Sequence, residues 1–443
     1  MTTRKVLDAL QKYESRNITF MEPDGSWPII WARAEGNHVW DPEGRRYLDL
    51  TAAFGVAAAG HANPRVVLAG QRQMERLLHA MGDVHPHELK ARLARELSRL
   101  TFERWGSNAV PRVNPGEIGK TIFCNSGFEA VEAALKTAFL ATGKPGVIAF
   151  EGAYHGVGYG ALNTTHRMHF RGPFKKQLKQ FAQFVAFPEL DGHATLLECQ
   201  QAITSILKSS PIGAILLEPV QARGGIRVMP PGFLPWLRSV TKAHGVLLVL
   251  DEIYTGLGRT GAWFACEHSG VVPDLICLGK ALTGGFPLSA CVGSGTTMDA
   301  AWPPATGEAI HTSTFLGHPV GCAMALAQLQ EIRRKKLIDR SAAMGRWLLP
   351  QLDNLLPAGS GLMIRGRGLG LMVGVELRYR NGAPATEVCL SILKSMLKDG
   401  FIVLPEGEHA NILSLTPPLT IQRRELTQTL NCLKKHLNAQ AQR

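Results

Sequence analysis

Continuous apolar runs, separated by stretches with helical periodicity, fill the middle of the chain. Because these runs do not alternate with polar residues, they are typical of parallel strands that are covered on both faces. We predict strands at residues 121–124, 146–150, 214–217, 246–250 and 275–278. Helical spacing predicts helices at residues 129–140, 235–244 and 319–335. The pattern therefore predicts an α/β core: a large, mostly parallel sheet flanked by helices.

The two chain ends mix short strands with helices. Apolar spacing predicts an amphipathic helix within residues 1–20, and the turn sequence DPEG follows short predicted strands at 29–34 and 38–40. A chain of 443 residues is longer than one that usually folds around a single hydrophobic core. We predict a large domain at residues 61–330 and a smaller α+β domain that combines residues 1–60 with 331–443.

Composition narrows the class of protein. Hydrophobic residues make up 45% of the chain and charged residues 19%, as in a globular protein, and the apolar runs are too short to cross a bilayer. The eight cysteines are scattered without a CxxC pair or a Cys/His cluster. We therefore predict no metal site, a reducing compartment and, because the N-terminus lacks a signal segment, a cytoplasmic location.

The net charge of +12 raises the question of nucleic acid. The basic residues are spread along the chain and form no stripe studded with aromatic residues. We predict neither a nucleic-acid nor a membrane partner, and we interpret the charge as a solvated surface that favours anionic small molecules.

An acid and a lysine follow two of the predicted strands. LLVL ends in Asp251, and DLICLG is followed by Lys280. Such a pair suits pyridoxal phosphate, because the amine condenses with the cofactor aldehyde while the carboxylate keeps the pyridine nitrogen protonated. A structural salt bridge for Asp251 and a solvated surface position for Lys280 are the alternatives.

Further candidate residues follow other predicted strands. Ser126, Gly127 and Phe128 join a strand to an alanine-rich helix, where backbone N–H groups can bind an anion, although an ordinary turn has the same pattern. Three more candidates stand at strand ends, where ligands gather in α/β sheets: Tyr154, His155 and Glu218.

The residues after Asp251 raise two further questions: which side chains face the cofactor, and whether GLGRTG is a nucleotide-binding motif. If the strand stays extended, Asp251 and Ile253 face the cofactor, whereas Glu252 and Tyr254 face the other way. The glycines of GLGRTG formally match a dinucleotide motif and suggest a nicotinamide dehydrogenase. Because the next residues, AWFACEHSG, begin a helix poorly, we interpret this match as accidental. A catalytically inactive scaffold with the same fold is a further alternative.

In order and spacing, these segments resemble the class III pyridoxal-phosphate aminotransferases, which include many ω-amino-acid transaminases. The resemblance runs from about residue 31 to 421. Its central signature is LVLDEIYTGLGRTG, with Lys280 placed 29 residues after Asp251. Flanking matches are GHANP, NSGFEAVEAALK, YHG, EPVQ, STFLGHP and PPLTI.

The resemblance implies fold type I, bound pyridoxal phosphate and a homodimer with active sites at the interface. It implies transfer of an amino group from an amine or (ω-)amino acid to a 2-oxo acid, through an internal aldimine and a pyridoxamine form. Aminomutases and amino-acid racemases resemble the same scaffold and are the alternative. By position, the catalytic residues would be Lys280, Asp251 and Tyr154.

The same resemblance implies how the cofactor is held. Lys280 would form the Schiff base, and Asp251 would meet the pyridine nitrogen. The phosphate would be bound by Ser126, Gly127 and Phe128, and by Thr314 of the neighbouring subunit. The other residues that we predict to bind the cofactor are Tyr154, which would stack on the ring, and His155, Glu218, Ile253 and Tyr254.

The chain departs from the family pattern around the substrate. Tyr254 replaces a common glutamine that contacts the ring hydroxyl, and a phenol can still make that hydrogen bond. Val157 and Ser414 replace two arginines that bind carboxylates in GABA and ornithine transaminases. Arg223 in QARGG is either a relocated carboxylate-binding residue or the partner of Glu218 or another acid. Phe54 aligns with an apolar residue of the substrate site.

Overall fold

The computed structural model describes residues 1–108, 116–189, 195–352, 355–356 and 360–441. Within them the strands are β1 Arg33–Glu35, β2 His38–Trp40, β3 Arg46–Asp49, β4 Gly119–Cys124, β5 Gly146–Phe150, β6 Ala182–Val185, β7 Ile212–Leu217, β8 Val220–Gln221, β9 Arg227–Val228, β10 Leu247–Asp251, β11 Leu275–Leu278, β12 Ser289–Ser294, β13 Leu362–Leu369, β14 Met372–Tyr379, β15 Phe401–Ile402, β16 Leu404–Glu406 and β17 Ile412–Leu415.

The helices of the same residues are α1 Thr3–Tyr13, α2 Ala52–Gly55, α3 Pro64–Arg76, α4 Glu88–Leu100, α5 Phe102–Asn108, α6 Gly127–Thr142, α7 Tyr159–Thr164, α8 Met168–Arg171, α9 Leu196–Ser209, α10 Phe233–His244, α11 Gly295–Ala301, α12 Pro319–Arg334, α13 Leu337–Leu352, α14 Thr386–Lys398 and α15 Arg423–Ala441. Short 3₁₀ helices occupy Gly172–Gln177, Ala265–Ser269 and Lys280–Leu282. In this part of the chain no helix is long and apolar enough to span a membrane.

The large sheet has seven strands in the order β4-β12-β11-β10-β7-β5-β6. The pairs from β11 through β6 are parallel, whereas β12 runs antiparallel to both β11 and β4. Adjacent side chains of β10 enter different hydrophobic clusters: Leu248 and Leu250 pack in one, and Val249 in the other. Both faces are therefore covered, which explains the uninterrupted apolar runs and confirms the predicted α/β fold.

Helix α6 lies close to this sheet because one of its faces is made of alanine. Ala130, Ala133, Ala134 and Ala138 are buried against β11 and β12. Small side chains let a helix approach a sheet closely. This packing fixes the N-terminus of α6 beside the carboxyl ends of the central strands.

Two smaller sheets contain residues from both chain ends. In the first, β3 near the N-terminus pairs in parallel with β15 near the C-terminus, where Leu48 lies opposite Phe401. The second is the antiparallel sheet β13-β14-β17-β16, on which α13 and α14 pack. The predicted α+β part built from both ends is thus present, and the exact domain boundaries stay a prediction.

Two elements near the N-terminus are shorter than expected. Helix α1 ends at Tyr13, because Glu14 already has extended backbone angles and Asn17 adopts a left-handed conformation. Strand β1 begins only at Arg33, four residues later than predicted. Pro28 just before the predicted start has no N–H group to donate to a strand ladder, which favours irregular structure there.

Candidate active site

A cavity of about 370 Å³ lies beside the carboxyl ends of β5, β7, β10 and β11. The edge of a parallel sheet where strands end is the usual ligand site in α/β folds. The structure brings eleven of the predicted site residues together around this cavity: Phe54, Gly127, Phe128, Tyr154, His155, Glu218, Arg223, Asp251, Ile253, Tyr254 and Lys280. Ser126 and Thr314 do not line it.

Lys280 enters the cavity from the turn after β11. Gly279 precedes it in extended conformation, and Lys280 itself has a left-handed φ of 35°. Burial lowers the pKa of its ammonium group, while the negative charges of Asp251 and Glu218 act in the opposite direction. Because desolvation favours the neutral amine, this lysine is better suited to nucleophilic attack than one on the surface.

Asp251 ends β10 and is held in place by two hydrogen bonds. Its Oδ2 lies 2.8 Å from Nδ1 of His155, and its Oδ1 accepts a hydrogen bond from the N–H of Ile253 at 3.1 Å. The side chain of His155 is buried, and its Nε2 finds no hydrogen-bond partner among the described residues. The carboxylate is therefore oriented by its neighbours rather than by a structural salt bridge to lysine or arginine.

Glu218 follows β7 and supports the turn that carries Tyr154. Its carboxylate accepts hydrogen bonds from the N–H groups of Tyr154 at 3.1 Å and Ala222 at 3.0 Å. Burial raises the pKa of Glu218 to about 7, although His155 opposes that rise. The ring of Tyr154 lines the cavity and meets Phe170 edge-on, with 5.2 Å between the ring centroids.

The N-terminus of α6 reaches the cavity through Gly127 and Phe128. A Cβ added to Gly127 would lie 3.1 Å from Cδ1 of Ile253, so the backbone approaches this side chain closely. Ser126 is the N-cap, but its Oγ lies 3.0 Å from Oε2 of Glu129 and its N–H donates to the same oxygen at 2.7 Å. The first turn of the helix thus contributes backbone N–H groups, which are suited to bind a phosphate.

The expected alternation after Asp251 is wrong for Tyr254. The strand ends at Asp251 and a turn follows, so Tyr254 lines the same cavity as Ile253. Only Glu252 points away, and it accepts hydrogen bonds from the N–H groups of Ala265 and Cys266, each at 2.8 Å. A period of two describes extended strands and fails once the chain turns.

Arg223 pairs with an acid that the sequence interpretation left unnamed. Its Nη1 lies 3.7 Å from Oε2 of Glu406, at the end of β16, and about one third of the Arg223 side chain is exposed. Glu406 is buried and its Oε2 accepts no hydrogen bond within the described residues. Burial raises the pKa of Glu406 to about 7, while Arg223 and Lys280 oppose the rise. The partner is therefore Glu406 and not Glu218.

The remaining substrate and phosphate positions lie around or outside the cavity. Phe54 and Val157 line it and are about half exposed. Ser414 is buried in β17, between Gly374 and Leu404, and does not line the cavity. Thr314 is exposed and does not line the cavity of its own chain.

Two residues that contact the lining of the cavity were missed from the sequence. Glu406 contacts Arg223 from far along the chain, and Thr416 lies 3.0 Å from the hydroxyl of Tyr254 through its Oγ1. Neither belongs to a motif with a local spacing. Both come from the C-terminal part, so only the fold places them beside the cavity.

The arrangement fits pyridoxal phosphate. A desolvated lysine amine, an oriented carboxylate, an aromatic wall and a helix N-terminus face one cavity, and they match the aldehyde, pyridine nitrogen, ring and phosphate of that cofactor. The buried, unpaired Nε2 of His155 is a further polar group at this site. Fold and site together define an enzyme of the pyridoxal-phosphate-dependent class.

Comparisons with known proteins identify the family. Residues 20–437 match the family described as aminotransferase class-III, and the chain belongs to it. It is 34% identical to an acetylornithine aminotransferase of Methanosarcina mazei, over 97% of this chain and 95% of that protein. It is 36% identical to a putrescine aminotransferase of Pectobacterium atrosepticum, over 91% and 81%.

Solved structures agree with this assignment. An (S)-enantioselective ω-transaminase from Thermomicrobium roseum superposes with a TM-score of 0.86 at 27% identity, covering 99% of this chain and 98% of that one. The protein is thus a pyridoxal-phosphate-dependent aminotransferase that moves an amino group from an amine or amino acid to a 2-oxo acid. The aminomutase or racemase alternative receives no support, and the dehydrogenase interpretation of GLGRTG is wrong.

Proposed function

We propose that the 370 Å³ cavity is the active site and that Lys280 and Asp251 carry its chemistry. The observation that supports this most directly is the strand register: Asp251 at the end of β10 lies opposite Cys277 of β11, three residues before Lys280. Adjacent parallel strands therefore deliver an amine and a carboxylate to one cavity. Bound pyridoxal phosphate supplies a protonated ring that accepts the electron pair released when the donor C–H bond breaks.

Lys280 has two tasks in this proposal. Its Nζ would hold the cofactor covalently. Once the amino donor has displaced it, the free amine would take the proton from the donor carbon as a general base and deliver it as a general acid to the former aldehyde carbon of the cofactor. Its lowered pKa keeps a larger fraction of the amine neutral and ready to accept that proton. Asp251, oriented by His155, holds the proton on the pyridine nitrogen.

The roles of the surrounding residues follow from their positions. Tyr154 and Ile253 both line the cavity and would supply the aromatic and aliphatic surfaces for a cofactor ring. The first turn of α6, at Gly127 and Phe128, binds the phosphate with its N–H groups. Ser126 supports that turn through its capping contacts with Glu129.

The active enzyme in our proposal is a cytoplasmic homodimer. Thr314 is exposed and does not line the cavity of its own chain, so its side chain is available to bind the cofactor phosphate of a second subunit. All eight cysteines are free and buried, as in proteins of a reducing compartment.

Arg223 and Glu406 are the proposed determinants of the donor. A donor with a carboxylate competes with Glu406 for the Arg223 guanidinium, whereas an amine without a carboxylate leaves the ion pair intact and the cavity wall neutral. The two named relatives show both chemistries, because acetylornithine carries a carboxylate and putrescine does not. Val157 and Ser414 offer no positive charge, so Arg223 is the proposed carboxylate-binding residue.

The Lys280→Ala variant tests the central proposal. Reduction with borohydride should attach pyridoxal phosphate covalently to Lys280 in the native protein, as peptide mass spectrometry would show, and to no lysine in the variant. Amino transfer should fall by a factor on the order of 10³. Lys136→Ala, at an exposed lysine on α6, is the matched control and should retain both properties. Covalent attachment at another lysine of the native protein would contradict the proposal.

The donor proposal is tested with Arg223→Ala and Glu406→Gln. Loss of Arg223 should raise the KM of acetylornithine about 10- to 100-fold, because a charged hydrogen bond is lost, and change that of putrescine much less. Glu406→Gln should lower the KM of acetylornithine by freeing Arg223. Donors that do not turn over can be measured as competitive inhibitors. Equal changes for both donors in Arg223→Ala would rule out a carboxylate-binding role.

A further inference from the structure

Tyr254 lies directly beside the reactive amine. The Nζ of Lys280 is 4.2 Å from the centroid of the Tyr254 ring, within the range of a cation–π contact. The attraction comes from the face of the ring, which carries partial negative charge, and it is stronger where water is excluded. Tyr254 is thus in contact with the one side chain whose position the reaction depends on.

The hydroxyl of Tyr254 contacts Thr416 and not Lys280. It lies 3.0 Å from Oγ1 of Thr416, which in turn lies 3.4 Å from the carbonyl oxygen of Thr51. Burial raises the pKa of the phenol to about 12, so it stays neutral at ordinary pH and attracts Lys280 through its ring and not as a phenolate. The partner of this hydroxyl in the structure is Thr416, and its hydrogen bond to the cofactor stays a prediction.

The ring is also fixed in orientation. A Cβ added to Gly55 would lie 3.1 Å from Cε1 of Tyr254, so the backbone of α2 packs against the ring edge. The Thr416 contact holds the opposite end of the side chain. A ring held at its edge and its hydroxyl presents one constant face to Lys280.

We propose that Tyr254 is a positioning residue: its ring face holds the Lys280 ammonium in place while that group carries the proton taken from the donor. The inference rests on the proposed role of Lys280 as the proton carrier. While it carries that proton, a lysine on a flexible stem would otherwise sample many rotamers. A fixed aromatic face restricts it to the position beside the donor carbon.

Three substitutions separate the ring from the hydroxyl. Tyr254→Phe keeps the ring and loses the contact with Thr416, whereas Tyr254→Leu and Tyr254→Gln lose the ring. We expect kcat to fall on the order of tenfold in the Leu and Gln variants and by less than about threefold in the Phe variant. KM for the donor should change little, because Tyr254 acts on the lysine. A donor deuterated at the reacting carbon should show a larger isotope effect on kcat in the Leu variant, because proton transfer becomes slower.

A second measurement does not use turnover. Apoenzyme captures pyridoxal phosphate through the neutral amine of Lys280, so the pH dependence of the capture rate reports its ionisation. The charged groups that face this amine are Asp251 on β10, Glu218 after β7, Glu406 on β16 and the cation Arg223. They are unchanged in all three variants. Loss of the ring removes a contact that favours the ammonium, so the midpoint should move to lower pH in Tyr254→Leu and stay in place in Tyr254→Phe.

The outcomes are distinguishable. If Tyr254→Phe is impaired as strongly as Tyr254→Leu, the hydroxyl carries the effect and the inference is wrong. If Tyr254→Gln has native kcat and an unshifted midpoint, the ring face is not needed and the inference is equally wrong. Failure of the underlying proposal would instead appear in Lys280→Ala, which would then retain amino transfer. Thermal unfolding of each variant shows whether a loss of kcat occurs in a protein that is still folded.

Discussion

At the scale of single residues, the turn after β10 decides which side chains reach the cofactor site. Asp251 and Ile253 line the cavity as expected, and Tyr254 joins them because the strand ends one residue after Leu250. The carboxylate of Asp251 is fixed by a side chain from another strand end, His155. Its orientation therefore depends on a residue almost a hundred positions away along the chain.

The charge of Asp251 is expected to be essential. In Asp251→Asn the amide keeps the shape of the side chain but cannot hold a proton on the pyridine nitrogen, so kcat should fall by about 10²–10³. Asp274→Asn is the control, because Asp274 accepts hydrogen bonds from the N–H of Leu248 and from Arg238 outside the cavity. That variant should lose stability in thermal unfolding and keep its kcat. A fully active Asp251→Asn would refute the role of Asp251.

The pair Arg223–Glu406 predicts a pH dependence. The pKa of Glu406 is raised to about 7, so below this pH the acid is neutral and Arg223 is free to bind a carboxylate. As pH rises through about 7, Glu406 ionises and competes, and the KM of acetylornithine should increase relative to that of putrescine. The ratio of the two KM values cancels any titration that affects both donors equally, including that of Glu218, whose pKa is also about 7. In Glu406→Gln the ratio should be flat; a ratio that still rises would contradict this assignment.

At the scale of secondary structure, α6 connects the hydrophobic core to the site. Its alanine face packs on the sheet, and its N-terminal turn is held by the capping contacts of Ser126 and Glu129. The turn after β5 contacts the same helix end, because Gly156 packs against Phe128. The proposed phosphate-binding turn is therefore positioned by a strand, a cap and a glycine together.

Gly156→Ala should disturb this turn. Gly156 has a φ of 107°, and an added Cβ would lie 2.3 Å from Cβ of Phe128. We expect the free energy of unfolding to fall by about 2–4 kcal/mol and the affinity for pyridoxal phosphate to fall with it, since Phe128 lines the cavity. Gly143→Ala at the other end of α6 is the control.

Gly143 also has a left-handed φ, of 67°, but a Cβ there would meet nothing within 4 Å. Its substitution should cost about 1 kcal/mol of stability and leave cofactor affinity unchanged. Denaturant unfolding and titration of the apoenzyme with cofactor measure both quantities. Equal losses of affinity in the two variants would show that the contact with Phe128 is not responsible.

At the scale of the whole molecule, the site draws on widely separated parts of the chain. Phe54 comes from near the N-terminus, the catalytic groups come from the large sheet, and Glu406 and Thr416 come from the C-terminal part. The pairing of β3 with β15 brings the two ends together. In the proposed dimer, Thr314 of a second subunit also contributes to the site.

Mixed dimers test the proposed role of Thr314. Lys280→Ala and Thr314→Ala subunits are each expected to be impaired. If Thr314 acts across the interface, one site of the mixed dimer contains both substitutions and the other contains neither. Mixing equal amounts and allowing exchange should restore about a quarter of native activity, because about half of the dimers are mixed. No recovery above the Thr314→Ala level would place Thr314 in its own subunit's site.

The sequence was sufficient where the signal is local. Predicted strands 146–150 and 275–278 coincide with β5 and β11, and three others differ only at their ends, because buried parallel strands read as unbroken apolar runs. Strand β12 was not predicted, and its antiparallel direction depends on its neighbours β11 and β4. In the site, the residues after strand ends were found because strands of one direction end at one edge.

Five strands of the large sheet, the lysine, the acid, the candidate phosphate-binding turn and the family pattern were thus determined by the sequence alone, because neighbouring residues carry each of these signals. Tertiary structure decided the rest: Glu406 as the partner of Arg223, the approach of Thr416 to the Tyr254 hydroxyl, and the ring of Tyr254 beside Lys280. The first two contacts join segments more than a hundred residues apart, and the third joins the segments that follow the neighbouring strands β10 and β11. Their geometry depends on how the chain ends pack against the sheet, and no local periodicity encodes that packing.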